Sequence, residues 1–416
     1  MELQASNECD VTAGHMYQNA ASPIDLIAPL RCVAILSQMT RAREDLMHAA
    51  KIAIIGLLFG TSAQAGGIDR SGQLLNPLFE EGNYAELRFG YTQPSLDGED
   101  LITGGSIGNV ASSFPSPGFG LKLDLNERWS FSLIGAEDFG ADIRYPGLPQ
   151  TSAFGGTTAI TNGYSLTLLG RYKFLENWSV YAGPRVNRQD GLIRLNGLAY
   201  GPIAGYSVEL DDDIGTGFVV GASYERPEIG LRAALTYSSR IRHEFDTLET
   251  FFGQPLSPQT TTRTDMPRSV NLDFQTGIAP DWLVFGSVRW AEFSEFLVDP
   301  IVFTELTGVG LVELENVYTY TLGIAHQFNE NWAGSVGFIY EEPGERVVSP
   351  LSPYTGIQAI RVGAQYSIDQ FEISAVVLYS RPGNALPGVG VPERTPRADF
   401  RDNSVWTGGV AVGYRF

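Results

Sequence analysis

From Gly66 to the end of the chain, apolar and polar positions alternate in stretches of about ten residues. In the last stretch Trp406, Gly408, Val410, Val412, Tyr414 and Phe416 share one parity, and Thr407, Gly409, Ala411, Gly413 and Arg415 share the other. The same split recurs in Tyr164, Leu166, Leu168, Gly170, Tyr172 and Phe174 against Ser165, Thr167, Leu169, Arg171 and Lys173. It recurs again in Tyr318, Tyr320, Leu322 and Ile324 against Thr319, Thr321, Gly323 and Ala325. A period of two predicts strands with one apolar face and one small or polar face. About ten residues is the length a tilted strand needs to cross a bilayer, and no apolar run reaches the roughly 20 residues of a spanning helix.

The connections alternate too. Short turns are predicted at Asn126-Glu127-Arg128, Leu175-Glu176-Asn177, Arg226-Pro227-Glu228, Ala279-Pro280-Asp281, Asn329-Glu330-Asn331 and Ile368-Asp369-Gln370. Trp129, Trp178, Trp282 and Trp332 follow four of them directly. Between them lie stretches rich in Gly, Pro, Ser and Thr near 94–117, 146–163, 188–214, 243–268, 297–316, 341–357 and 382–403. Six short turns and seven long loops require fourteen strands, with both termini on the short-turn side. Tight turns on one side, long loops on the other and aromatics at the boundary are the plan of a barrel in the bacterial cell outer membrane. A soluble sandwich also alternates, but it hides its apolar face in a core and gives no reason for tryptophan after the turns of one side only. The expected fold is therefore all-β: a transmembrane antiparallel β-barrel of about 14 strands, running from residue 83 to 416.

Ahead of the barrel, residues 47–65 read MHAAK-IAIIGLLFG-TSAQA, a short basic start, an apolar run and the small-residue triplet Ala63-Gln64-Ala65. That is the layout of a cleavable secretory signal peptide, so the mature protein is expected to begin near Gly66. Residues 1–46 fit neither signal nor barrel, and translation is expected to start at Met39 or Met47.

Composition agrees with this reading. Mean hydropathy is -0.04, as expected when lipid-facing and lumen-facing residues cancel, and a formal net charge of -19 excludes nucleic acid as a partner. Both cysteines, Cys9 and Cys32, precede Gly66, which removes disulfide and thiolate-metal chemistry from the mature chain. Only His243 and His326 remain there. His326 falls outward at the short-turn end, and His243 sits among Arg242, Glu244 and Asp246, which read as solvated charge. No catalytic triad or paired-His metal spacing can be drawn from them, so neither an enzyme nor a metal or other cofactor is expected. Gly104-Gly105-Ser106-Ile107-Gly108 lacks the strand-to-helix setting of a phosphate loop and reads as loop glycines.

The inward parity carries Arg88, Lys122, Arg171, Lys173, Arg185, Arg232, Arg240, Arg289 and Arg361, with Glu86, Asp124, Asp273 and Glu372. Facing lipid at the midplane, each cation would cost about 2–4 kcal/mol. Inside, they form structural ion pairs, or one or two of Arg185, Arg240, Arg289 and Arg361 hold the carboxylate of an amphipathic substrate. Leu192, Tyr200, Phe251 and Phe252, placed in the third and fourth long loops, add apolar surface for a greasy substrate, or pack on one another to close the barrel top. The third strand breaks its pattern. Trp129, Phe131 and Leu133 set an outward parity that Gly135, Phe139, Ala141, Ile143 and Tyr145 continue, stranding Glu137 on the lipid side. A carboxylate there is tolerable if the strand bends, and a kink is predicted over Gly135, Glu137, Asp138, Phe139 and Gly140.

Several stretches resemble the FadL family of outer-membrane transporters for long-chain fatty acids and other hydrophobic compounds. They are TDMPRSVNLDFQTGIAPDWLVFGSVRWAEFSEF from Thr264 to Phe296, YTLGIAHQFNENWAGSVGFIYEEP from Tyr320 to Pro343, and LTYSSRIRHEF from Leu235 to Phe245. The resemblance implies a fourteen-stranded barrel plugged by a hatch, here the short segment 66–82, in which Asn76, Pro77 and Leu78 echo the family's Asn-Pro-Ala motif. It also implies passive uptake of a hydrophobic small molecule, with lateral exit at a kinked third strand. The chain departs from the family at Asp138, where relatives tend to have proline, and in its shorter third and fourth outer loops. Further expected partners are outer-membrane lipid, lipopolysaccharide, and the barrel-assembly machinery through the C-terminal aromatic Phe416. A monomer is expected. The alternative is a structural or adhesive barrel whose acidic loops bind lipopolysaccharide through divalent cations.

Overall fold

The computed structural model describes residues 68–70, 75–390 and 394–416. Residues 1–46, the signal segment 47–65 and the first residues of 66–82 lie outside the described residues. The barrel strands are β1 (Tyr84–Ser95), β2 (Phe114–Asp124), β3 (Trp129–Arg144), β4 (Thr158–Lys173), β5 (Trp178–Leu195) and β6 (Tyr206–Arg226). β7 comes in two pieces, Leu231–Ser238 and Ile241–Phe251, and so does β8, Thr260–Met266 and Ser269–Ala279. β9 (Trp282–Ala291), β10 (Val317–Gln327), β11 (Trp332–Glu341), β12 (Thr355–Ile368), β13 (Phe371–Gly383) and β14 (Ser404–Arg415) complete the wall. Each strand pairs antiparallel with the next, and β14 closes on β1 with Tyr84 opposite Arg415 and Ser95 opposite Ser404. The result is a closed barrel of fourteen strands, which leaves no sheet edge in lipid.

Alternation decides which way each side chain faces. Leu166, Leu168, Tyr318, Leu322, Trp406 and Val410 are exposed to lipid, while Glu86, Lys122, Arg171, Arg289, Arg361 and Glu372 are buried inside. The short turns fall where expected, and the four tryptophans that follow them are exposed. His326 stacks on Trp282 with ring centroids 4.2 Å apart and bonds the carbonyl of Asp281, an interfacial role.

Two of the expected outer loops are largely strand. Within 188–214 only residues 196–205 separate β5 from β6, and 243–268 is mostly the β7–β8 hairpin. Leu192 is thus a strand residue, and Phe251 ends a strand. β3 to β8 also bend. The β3–β4 register slips between Glu137 and Phe139. The β4–β5 ladder skips Leu168 and Leu169 opposite Gly183 and Pro184, where proline has no N–H to give. The β5–β6 register slips near Asp190, and β7 and β8 both break, at Ser239-Arg240 and Pro267-Arg268.

Above the bends the outer loops fold over the barrel mouth around one apolar cluster, with Tyr145, Phe154, Tyr206, Phe293, Phe303 and Phe400 among its largest members. Below, the 3-10 turn Asn76–Phe79 sits inside the barrel. Its Leu78 is fully buried with Ile134, Leu169, Tyr181 and Val219 from four successive strands. The interior is therefore apolar at the top and holds this turn near its lower end.

Candidate functional site

β3 starts as an ordinary wall strand, laddered to β2 from Ser130 opposite Asp124 up to Ala136 opposite Gly118. Above Ala136 that ladder ends. β2 continues along β1 as far as Phe114, and β3 next meets the chain before it at Ser112 and Ala111, opposite Asp142 and Ile143. On the other edge, the slip against β4 leaves Asp138 as an extra, bulged residue. The wall is therefore unladdered between β2 and β3 across Glu137–Ala141. A one-residue slip swaps the faces of everything beyond it. Phe139, Ala141, Ile143 and Tyr145, expected to continue the lipid-facing parity, are instead buried in the apolar cluster, and Arg144 is exposed.

The N-terminal segment supplies the partner that β3 has lost. The Arg70 amide donates to the Asp138 carbonyl and the Gly140 amide to the Ile68 carbonyl, both at 2.7 Å, with Asp69 bridged to Phe139. Glycine at 140 leaves room for the Arg70 guanidinium, which a Cβ would meet at 2.5–2.8 Å and push aside. On the lipid side, Gly135 gives room to the Phe119 ring, which a Cβ would meet at 2.2 Å.

Three ion pairs converge on this point. Glu137 pairs with Arg70, Asp138 with Arg185 from β5, and Asp69 with Arg289 from β9 at 2.6 Å. All six side chains are buried. The Arg70 guanidinium also lies over the Phe114 ring, 3.7 Å from its centroid, filling the gap from inside. A crevice of about 10 Å³ beside the gap is lined by Phe114, Ala141, Ile143 and the Leu351–Tyr354 stretch of the sixth outer loop. That is about one water's room.

The expected site residues thus divide. Glu137, Asp138, Phe139, Gly140, Arg185 and Arg289 come together at the kink, with Gly135 beside it. Arg240 lies outside it, shared among Asp265 at 3.1 Å and Glu292 and Glu295 at 3.3 Å. Arg361 lies under the Phe285 ring, 5.3 Å from its centroid. Tyr200 is buried in the outer cluster against Phe154, Leu192 and Phe251 are half-buried, and Phe252 is 73% exposed at the hairpin tip. Asn76, Pro77 and Leu78 form the buried turn, whose Pro77 lies against Gly120.

Sequence reading missed Asp69 and Arg70. A charged dipeptide in a short segment destined for the lumen needs opposite charges waiting there, and β3 offered Glu137. Arg242, Glu244 and Asp246 are exposed, as solvated charge should be, but His243 between them is not. It is fully buried, with Nδ1 2.9 Å from Asp213 and Nε2 3.0 Å from Asn187, because the strand runs on through Ile241–Phe251 and turns the ring inward.

Comparison with known proteins bears on the barrel as a whole. The family described as outer membrane protein transport protein (OMPP1/FadL/TodX) matches residues 81–377. A Pseudomonas aeruginosa FadL homologue superposes with a TM-score of 0.64 at 16% identity, covering 82% of this chain and 92% of its own. The Pseudomonas putida toluene transporter TodX gives 0.59 at 12% identity, covering 87% and 98%, and the Ralstonia pickettii toluene transporter TbuX gives 0.57 at 13%, covering 82% and 91%. At such identities the likeness is one of fold. No curated protein matches the sequence.

Proposed function

The chain belongs to the OMPP1/FadL/TodX family of outer-membrane transport proteins for hydrophobic compounds, and from that premise we propose that it takes up hydrophobic small molecules passively and releases them sideways between β2 and β3. The missing ladder above Ala136, beside the Asp138 bulge, carries this reading. A ligand that enters the aromatic cluster at the mouth gains about 25 cal/mol for each Å² of apolar surface it buries. Straight down it would meet the turn Asn76–Phe79 and buried charges such as Arg88, Arg171 and Glu372, to which an apolar body offers no hydrogen bond. The gap at β3 opens instead on lipid. Ile68–Arg70 acts as the seal, a segment bridged to β3 that must leave it for the ligand to pass, and the turn Asn76–Phe79 keeps the lower lumen shut as a hatch. A fatty acid among these ligands would need a cation for its carboxylate; an uncharged hydrocarbon would not.

The test bridges the gap. No cysteine lies beyond Cys32, so Pro115→Cys and Asp142→Cys, which face outward on either side of the gap, can be targeted with a short bis-maleimide in the folded barrel. Bridging should abolish uptake of 1-dodecanol while leaving its binding intact. Undiminished uptake by a verified cross-linked barrel would overturn lateral release.

A further inference from the structure

We propose that the kink site selects uncharged hydrophobes against carboxylates, and that Asp138, Glu137 and Asp69 set this selectivity by occupying its arginines; the proposal rests on the transport reading above. Three cations converge at the opening, and each has a protein carboxylate of its own: Arg70 with Glu137, Arg185 with Asp138, Arg289 with Asp69. None of the six side chains is more than 7% exposed. The arrangement is balanced, three charges against three. An incoming carboxylate would have to shed its own water and displace a buried carboxylate from its arginine, exchanging one ion pair for another while stranding the acid it displaced. An uncharged ligand competes with no carboxylate for an arginine, and before Ile68–Arg70 moves aside it meets Phe139 and Ile68, which join the apolar cluster beside the pairs.

Two of the acids owe their place to the bulge. Asp138 is the extra residue of β3 and reaches Arg185 from it, and the same irregularity brings Glu137, out of phase for a regular strand, to Arg70. The strand that opens the wall thus also neutralises the cations behind the opening.

The test compares 1-dodecanol and dodecanoate, which share a chain and differ in charge, by equilibrium binding to the purified mature barrel at pH 8. The wild type should bind dodecanol at least about tenfold more tightly. Asp138→Asn keeps the shape and frees Arg185, so it should strengthen dodecanoate binding by about tenfold, the worth of one charge-assisted hydrogen bond, with dodecanol unchanged. Adding Arg185→Gln to that variant should remove the gain. If Asp138→Asn fails to give a heat-modifiable barrel, Glu137→Gln, which frees Arg70, takes its place. Equal binding of both probes by the wild type, or an unaltered ratio in a folded acid-to-amide variant, overturns the selectivity and leaves transport standing. A folded wild type that binds neither probe overturns the transport reading and this proposal with it.

Discussion

Asp100 shows how one carboxylate can hold two loops of the barrel mouth. It accepts hydrogen bonds from the amides of Ile102 at 2.9 Å and Thr103 at 3.0 Å in its own loop, and from the amide of Ala153 at 2.6 Å in the next. Burial pushes its carboxyl up, but the hydrogen bonds from Ala153, Thr103 and Ile102 outweigh that and hold it below the ordinary 3.8. A folded value below the unfolded one means that the stabilisation is complete above the unfolded value and is lost as pH falls through the folded one. Amide exchange, corrected for intrinsic rates, should therefore show Ile102, Thr103 and Ala153 equally protected at pH 7 and pH 5 and released only below about pH 3.8. Asp100→Asn should lack that acid step; a wild type that loosened already at pH 5 would assign the linkage to another group. Asp100 is legible as a turn former in sequence, but its bond to Ala153 is not, since nothing local marks a partner 53 residues away.

The strands that sequence reading shortened share one physical trait. Below the headgroups the outward face is apolar, so alternation reads as greasy against small. Above them it meets water, and the code inverts: in β7 the exposed Arg242, Glu244, Asp246 and Leu248 alternate with the buried Ile241, His243, Phe245, Thr247 and Glu249. A search for apolar outward faces ends at that boundary and takes charged strand for loop. The bulge at Asp138 was legible as a stranded acid, whereas the change of face beyond it was not, because a slip of one residue leaves no mark on composition. Helix α1 (Ile301–Thr307) was hidden as well, being too short for a period to emerge. It is docked by Glu249, whose carboxylate accepts from the amides of Val302 at 2.9 Å and Phe303 at 2.8 Å, and from the Tyr206 hydroxyl at 2.8 Å. Glu249→Ala leaves three donors without their acceptor and should weaken docking by about 1–3 kcal/mol, against less for Glu249→Gln. Faster exchange at Val302 and Phe303 in the alanine variant checks this. Unchanged exchange would mean that the Phe303–Tyr206 ring contact, 5.0 Å between centroids, holds the helix alone.

Closing the barrel demands that residues from opposite ends of the chain find each other, Tyr84 opposite Arg415, and such non-local pairing is slow without help. The end of the chain does more there than complete a ladder. The Phe416 amide donates to the Asn83 carbonyl at 3.1 Å, and Arg415 reaches both Glu80, just past the buried turn, and Glu372 on β13. The residue after the buried turn, the first strand and the last strand therefore meet at one place. The Phe416 ring takes little part in this. It is 56% exposed on the lipid side, stacked on Tyr414 with centroids 6.0 Å apart. An aromatic ring that contributes so little to the folded wall suits recognition during insertion, and we expect the barrel-assembly machinery to read it. Deleting Phe416 removes one backbone hydrogen bond and a surface ring, about 1 kcal/mol in the folded barrel. Barrel refolded from purified chain into detergent should then unfold at nearly the wild-type temperature, while the heat-modifiable species recovered from outer membranes should drop severalfold. Phe416→Tyr, which keeps an aromatic ring at that position, should restore the yield. Equal yields for the deletion and the wild type would show that insertion reads some other feature of β14, and a parallel fall in unfolding temperature would show that Phe416 acts through stability.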